Sequence, residues 1–336
     1  MRHCIARSLK NKLSVLWYQK NILKYFLAPF SLLYRIIISV RHFLYQKNIV
    51  KSYRISAPVI VVGNITVGGT GKTPLVIALV NYLKSHHFNP GVVTRGYGGK
   101  SKVWPQVVNH NSDPLLVGDE AVLISQNTKV PVIAGSNRAN NAEILVRNFN
   151  CNVIVSDDGL QHYALQRDIE IVVIDGMRRF GNKLCLPAGP LREPLSRLTS
   201  IDFMVTNGAA HKNEFSMQFV IDGIVSVKNE NIKCDIATLR HQKIIAIAGI
   251  GNPERFFESL TSLGISFDAI AFPDHHSFQK KDFDHRHADI ILMTEKDAVK
   301  CRGFADDRFY VAKGRGVVDD AFFKAVLQKL MRWLTQ

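Results

Sequence analysis

The residues best suited to do chemistry begin at Val59. The run Val59-Ile60-Val61-Val62 reads as a buried strand. It leads through Gly63-Asn64-Ile65 into Thr66-Val67-Gly68-Gly69-Thr70-Gly71-Lys72-Thr73-Pro74. A strand, a glycine-rich turn and a helix opened by Gly-Lys-Thr make a phosphate-binding loop. Its amides cradle phosphate oxygens, and the amino end of its helix adds partial positive charge. Its lysine neutralises β and γ oxygens, and its threonine hydroxyl suits Mg2+. The usual pattern has glycine five residues before Gly71. Here that position is Thr66, so Gly68 and Gly69 supply the flexibility. Contacts to a bound nucleotide are therefore expected from Thr66, Val67, Gly68, Gly69, Thr70, Gly71, Lys72 and Thr73.

Carboxylates and histidines follow at strand ends. Cys151 to Ser156 is apolar and runs into Asp157-Asp158-Gly159-Leu160-Gln161-His162. After a phosphate loop, acidic residues at a strand end sit where a carboxylate holds Mg2+; the plainer alternative is an Asp-Gly turn. Gly118-Asp119-Glu120 puts two more carboxylates ahead of a helical stretch, where capping alone would explain them. Pro273-Asp274-His275-His276 supplies a base or a group that orients one. The alternatives there are surface histidines, or a metal cluster with His285 and His287 that lacks clean ligand spacing. The basic loop Thr94-Arg95-Gly96-Tyr97-Gly98-Gly99-Lys100 suits an anionic group, or is a solvated turn. Gly249-Ile250-Gly251 is not a dinucleotide fingerprint, because Glu254 stands at the third glycine position and would repel a pyrophosphate.

Such groups need a scaffold that gathers strand ends. Short apolar strands are expected at 59–62, 90–94, 130–134, 151–156 and 170–174, alternating with helices at 72–84, 121–126 and 138–149. This is the signature of a doubly wound, mostly parallel α/β/α sheet carrying the phosphate loop. The Pro-, Gly- and Arg-rich stretch 181–199 is too long for a plain connector. Residues 214–228 alternate weakly and suit a hairpin or ribbon. A second, smaller α/β unit follows, with strands at 243–249, 269–272 and 290–293 and helices at 253–263 and 319–334. The division expected is 1–55 for basic amphipathic helices and 56–210 for the phosphate-loop core. Residues 211–240 would form a two-stranded linker and 241–336 the second domain.

The chain has 336 residues and a formal charge of +15, and 46% of it is hydrophobic, which excludes a disordered or fibrous chain. No Asp or Glu precedes Asp113, whereas residues 1–112 carry 16 Lys/Arg. An anionic partner for the amino-terminal third is expected: lipid, nucleic acid or polyphosphate. Five scattered cysteines, Cys4, Cys151, Cys185, Cys234 and Cys301, argue for a reducing compartment and against structural zinc. The basic start, 1–12, lacks the apolar core of a secretory signal. Tyr25 to Tyr34 is uncharged but short and broken by Pro29, and Arg35 and Arg41 flank Ile36-Ile37-Ile38. A spanning helix needs about 20 predominantly apolar residues. One or two helices lying on a surface, with Lys20, Lys24, Arg35, Arg41 and Lys47 toward phosphates or water, are expected instead. Core helices are the alternative.

In order along the chain, several motifs resemble the tetraacyldisaccharide 4'-kinase family of lipid A synthesis. They are Val62–Pro74, Thr94–Tyr97, Gly118–Glu120, Asp157–His162, Pro187–Pro194, Ala248–Pro253, Phe272–His276 and Thr294–Asp297. The resemblance accounts for Thr66 as that family's form of the loop. It implies a kinase moving the γ-phosphate of ATP to the 4'-hydroxyl of tetraacyldisaccharide 1-phosphate, giving lipid IVA, at the cytoplasmic face of the bacterial inner membrane. It implies two α/β/α domains joined by a two-stranded ribbon, with ATP and Mg2+ as cofactors and an anionic membrane surface as partner. No nucleic acid and no obligate protein partner are expected. By the same resemblance Asp119, paired with His275, is the base, and Lys72 serves the phosphates. Thr73, Asp157 and Glu120 hold the metal, and Tyr97, Arg192, Glu193, Asp158 and Gln161 line the substrate. A phosphate-loop ATPase or GTPase switch and a basic nucleic-acid binder are the readings from other classes.

Overall fold

The strands, in chain order, are β1 (Val59–Gly63), β2 (Pro90–Thr94), β3 (Gln106–Val108), β4 (Val132–Ala134), β5 (Val153–Asp157), β6 (Ile169–Asp175), β7 (Phe203–Asn207), β8 (Phe215–Ser226), β9 (Lys233–Cys234), β10 (Ile244–Ala248), β11 (Asp268–Ala271), β12 (Ile290–Thr294) and β13 (Phe309–Val318). They come from a computed structural model that describes residues 17–18, 22–239, 242–284 and 287–335. The basic start 1–12 with Cys4, Lys20 and His285 lie outside the described residues. All thirteen belong to one mixed, mostly parallel sheet, in the order β11-β10-β12-β13-β8-β7-β6-β1-β5-β2-β4-β3, with β9 beside β8.

The β-branched runs of β1, β5 and β6 are buried on both faces, as parallel strands covered by two layers must be. On one face Leu75, Leu79, Ile124 and Val155 share a cluster with Phe322 and Leu330 of the helix Asp320–Leu334. That helix, expected with the second unit, therefore packs on the phosphate-loop half. On the other face Val61, Ile133, Leu145 and Ile154 form a second cluster. Around β10, β12 and β13, two further clusters cover the two faces of the remaining strands.

β8 and β13 join the two halves. They run antiparallel over nine residue pairs, from Tyr310↔Ser226 to Val318↔Met217, with a bulge where Lys313 gives way to Gly314. One end of β8 pairs with β7, and one end of β13 with β12. The parallel strands of one half thus point their carboxyl ends toward those of the other. The ribbon expected within 211–240 finds its main partner at 309–318, while its local hairpin with β9 spans two residue pairs. β13 escapes sequence reading because the run Lys313-Gly314-Arg315-Gly316 breaks its apolar stretch.

A partly buried ion pair braces the start of β8. Arg179 donates to both oxygens of Glu214, at 2.6 and 2.9 Å, and Thr206 Oγ1 and the His211 amide donate to the same carboxylate. The Arg179 hydrogen bonds hold its pKa down at about 2, below the ordinary 4.5. A lowered carboxylate contributes stability that is present above its unfolded pKa and lost as pH falls through the folded one. Glu214→Gln should therefore lower stability at pH 7 by about 1.5–3 kcal/mol, the worth of hydrogen bonds to a charged group. In urea melts its deficit should vanish between pH 4.5 and about 2. A deficit unchanged at the acid end would assign it to something other than this pair.

The amino-terminal helix Leu23–Gln46 is one element and runs through Pro29, contrary to the break expected there. Proline removes one hydrogen bond at a cost of about 3 kcal/mol, and anchors on both sides offset it. Trp17 Nε1 donates to the Pro187 carbonyl (3.0 Å), Ser31 Oγ to Cys185 (2.7 Å) and Tyr34 Oη to Arg192 (3.1 Å). Tyr34 and Ile38 pack on the second core cluster. The opposite face is apolar and open: Phe26 is 72% exposed, Phe30 62% and Ile37 57%. Residues 24–46 are long and apolar enough to cross a membrane, by length and composition, and almost none of that stretch is buried in the protein.

Candidate active site

The glycine-rich loop lies between β1 and the helix Lys72–Ser85. Gly71 caps that helix in the left-handed region (φ 97°), and no side chain covers the helix amino end. Its first amides are thus free to take an anion. A Cβ at Gly71 would lie 2.4 Å from Asn207 Nδ2, whose amide donates to the Thr70 carbonyl (3.2 Å). The other side of the loop is held by the Pro-rich stretch: the Val67 amide donates to Pro190 and the Arg192 amide to Ile65, and Thr66 bridges Leu191. Residues 181–194 thus lie between the phosphate loop and the amino-terminal helix.

β5 pairs with β1 so that Asp157 stands opposite Val62, beside the mouth of the loop. Asp157 is buried and its Oδ1 has no hydrogen-bond partner, nor do Thr70 Oγ1 and Asn64 Oδ1. A buried polar atom left unpaired costs about 1–3 kcal/mol. Three such atoms around one loop mark a place built for a ligand. Burial, with Glu120 and Asp158 adding negative charge, pushes the Asp157 carboxyl up to about 7. Its neighbour Asp158 behaves oppositely. Burial would raise it, but Lys72 (Nζ at 3.6 Å) and Arg192 (3.0 and 3.1 Å) outweigh that and hold it at about 2. Arg192 and Glu193 turn different ways: Glu193 accepts from Gln161 Nε2 (3.1 Å) and from Tyr163 Oη.

Across the cleft, Asp119 opens the helix Asp119–Thr128 and is buried. His275, set in the left-handed region (φ 59°), places Nδ1 3.1 Å from both Asp119 oxygens, and its ring is 4.8 Å from that of Tyr97. Burial would raise Asp119. The His275 hydrogen bond, with Lys296 and Lys300, overcomes this and holds it below the usual carboxylate value. Both lysines project from the short helix Glu295–Cys301, after β12. Lys296 Nζ reaches Glu120 (2.9 Å), Asp274 (3.3 Å) and His275 Nε2 (3.3 Å), and Lys300 Nζ lies 2.8 Å from Asp297 and 3.7 Å from Asp119. Burial would lower the Lys296 pKa, but Glu120, Asp274 and Asp119 outweigh it and raise it above the ordinary value. In the sequence Lys296 is only part of the Thr294–Asp297 motif and Lys300 lies beyond it; a seven-residue helix carries no periodicity that would single them out.

A further contact closes the cleft. Gly251, after β10, lies against the phosphate loop so closely that a Cβ on it would be 2.5 Å from the Gly69 amide nitrogen. Arg178 donates to the Gly251 carbonyl (3.0 Å) and Asn252 Oδ1 (3.1 Å) from the other half. His276 is held by Asp282 (3.1 Å). Among the described residues no three His, Cys, Asp or Glu side chains converge to hold a metal.

A family model described as "LpxK: Tetraacyldisaccharide-1-P 4'-kinase" matches residues 23–332. Curated relatives named "Tetraacyldisaccharide 4'-kinase" include that of Nitrosococcus oceani, 46% identical over 88% of this chain and 87% of its own length. That of Methylobacillus flagellatus is 45% identical over 98% of each chain. Among solved structures, the apo form of LpxK from Aquifex aeolicus in complex with ATP is similar, with a TM-score of 0.77 and 29% identity. The match covers 92% of this chain and all of that one.

Proposed function

The chain belongs to the tetraacyldisaccharide-1-P 4'-kinase family, and from that premise we infer how the residues of the cleft divide the work of its reaction. The reaction is phosphorylation of the 4'-hydroxyl of tetraacyldisaccharide 1-phosphate in lipid A biosynthesis, with ATP as donor. We read the fold as a phosphate-loop α/β/α core over about 56–210 and a smaller α/β/α unit within 241–336, joined by the β8–β13 ribbon.

ATP would lie with its phosphates along Thr66 to Thr73, against the free helix amides, with Lys72 on the β and γ oxygens. The unpaired Asp157 oxygen supports a metal site there, with Thr73 and Glu120 as the other protein ligands. When bound, Mg2+ neutralises charge on the phosphates. Asp158, held ionised by Lys72 and Arg192, keeps both cations aimed at the transferring group. Asp119 would accept the proton of the 4'-hydroxyl. It is ionised and buried, and its carboxylate faces the space between the halves. Tyr97, Arg192, Glu193 and Gln161 would meet the sugar and its neighbouring groups. Phosphoryl transfer asks mainly for positioning and charge neutralisation, and the meeting of Gly251 with Gly69 sets the second half against the phosphate loop.

The exposed apolar face of the helix Leu23–Gln46, with Lys24, Arg35, Arg41 and Lys47, supports docking on an anionic bilayer that holds the lipid substrate. We place the enzyme at the cytoplasmic face of the inner membrane. The observation that carries the reading is the meeting of Asp119 and His275 beside the phosphate loop. The test is transfer of label from γ-32P-ATP to tetraacyldisaccharide 1-phosphate in detergent micelles. Labelled lipid with the wild type and none with Lys72→Ala is the expected result. Phosphate release with unlabelled lipid would point to an ATPase switch.

A further inference from the structure

We propose that Lys296 is a positioning residue that fixes His275 in the Nδ1–H tautomer and thereby leaves Asp119, not His275, to act as the base. An ammonium group has three N–H donors and accepts nothing. Lys296 Nζ has three acceptors in reach: Glu120 Oε1 (2.9 Å), Asp274 Oδ1 (3.3 Å) and His275 Nε2 (3.3 Å). A nitrogen that receives a hydrogen bond from an ammonium holds a bare lone pair. The ring proton must then sit on Nδ1, and Nδ1 faces both Asp119 oxygens at 3.1 Å. Free histidine favours the opposite tautomer, so the assignment depends on the Asp119 carboxylate at Nδ1 and the Lys296 ammonium at Nε2 together.

The consequence is chemical. With Nε2 covered by Lys296, that nitrogen cannot accept a proton from an incoming hydroxyl. His275 Nδ1–H orients the Asp119 carboxylate while Lys300 stands 3.7 Å from its other side. The remaining neighbours of His275 are Asp274, at 3.7 Å on its own turn, and the ring of Tyr97. Removing the ammonium would leave Nε2 next to Asp274, which favours a proton there. Lys296 also takes part in the link between the halves, since Glu120 lies on the helix that Asp119 opens and Lys296 follows β12. Orientation of the base and one of the contacts across the cleft thus share a side chain.

The inference rests on Asp119 and His275 being the catalytic pair, which turnover of Asp119 variants tests separately. Its own test is read without substrate or nucleotide, so either can fail alone. Full-length protein labelled with 15N at histidine is examined by NMR, with His275 assigned by the signals lost in His275→Asn. The wild type should show Nδ1 protonated and Nε2 bare. Lys296→Met should let Nε2 take a proton toward Asp274 while Nδ1 keeps its own against Asp119. Its kcat should fall about 10²-fold, the usual cost of misplacing a reacting group, with KM for ATP little changed. Lys296→Arg, which keeps a cationic donor, should retain the Nδ1–H form. A wild-type ring protonated on Nε2 would overturn the proposal, whether or not the methionine variant folds. So would a Lys296→Met ring unchanged from wild type, because a purely structural role would lower turnover and leave the tautomer alone.

Discussion

Replacing Asp119 by alanine is expected to lower kcat by about 10²–10⁴-fold, the usual worth of a positioned general base, with ATP affinity nearly unchanged. Affinity should persist because the phosphate loop and the helix amides lie on separate elements from the helix that Asp119 opens. Turnover should not. Asp119 is the carboxylate kept ionised at the cleft by His275, Lys296 and Lys300. Asp119→Asn sharpens the result. It keeps the shape and the hydrogen bond to the Glu120 amide (2.9 Å in the wild type) but has no charge to take a proton, so it should be impaired nearly as severely. Single-turnover kinetics beside ATP titration separate the two effects. Near-normal turnover in either variant would remove Asp119 from the chemistry.

Gly251→Ala should also cost about 10²-fold in turnover, since small displacements at a reacting centre are that expensive, although Gly251 supplies no side chain. The new Cβ would meet the Gly69 nitrogen at 2.5 Å and its Cα at 3.0 Å, both backbone atoms that cannot swing aside. Either the phosphate loop shifts or the second half withdraws from it. In both cases His275 and Lys296, which come from that half, move relative to Asp119 and Glu120. Thermal melting should change little, because the contact is at the cleft and not in any of the four cores. A variant with wild-type turnover would mean that catalysis does not need these two loops in contact.

The strands that frame the site were legible because each is an apolar, β-branched run ending in glycine or aspartate, as at Val59–Gly63 and Val153–Asp157. The helices Lys72–Ser85 and Arg138–Phe149 fall almost where their periodicity puts them. What was not legible depends on partners far along the chain. β7 is five residues after a turn-rich loop, and β13 has glycines and cations in its middle, so neither carries a usable period. Asp119 and His275 are 156 residues apart. Composition and spacing give no reason to join them; the resemblance suggests the pair, and the facing carboxyl ends of the two sets of strands bring it within 3.1 Å. Lys296 lay hidden for a related reason. A lone lysine between two acids reads as a solvated charge until three acceptors from two distant segments surround it. Pro29 misled in the other direction, because its cost is local while the contacts of Trp17, Ser31 and Tyr34 that offset it are not.

The way the chain threads its sheet sets an order of events during synthesis. The helix Leu23–Gln46 emerges before any strand, with its apolar face already available to a bilayer. The phosphate-loop half then leaves the ribosome with one face uncovered, because the chain departs along β8, builds the other half, and returns along β13. Only then does it make the helix Asp320–Leu334, whose Phe322, Val326 and Leu330 complete the cluster around Leu75 and Leu79. Contacts between segments so far apart form late and slowly. On the proposed docking of that helix, the nascent protein would reach its membrane before it is able to bind nucleotide productively, and would become a kinase in the place where its substrate is held.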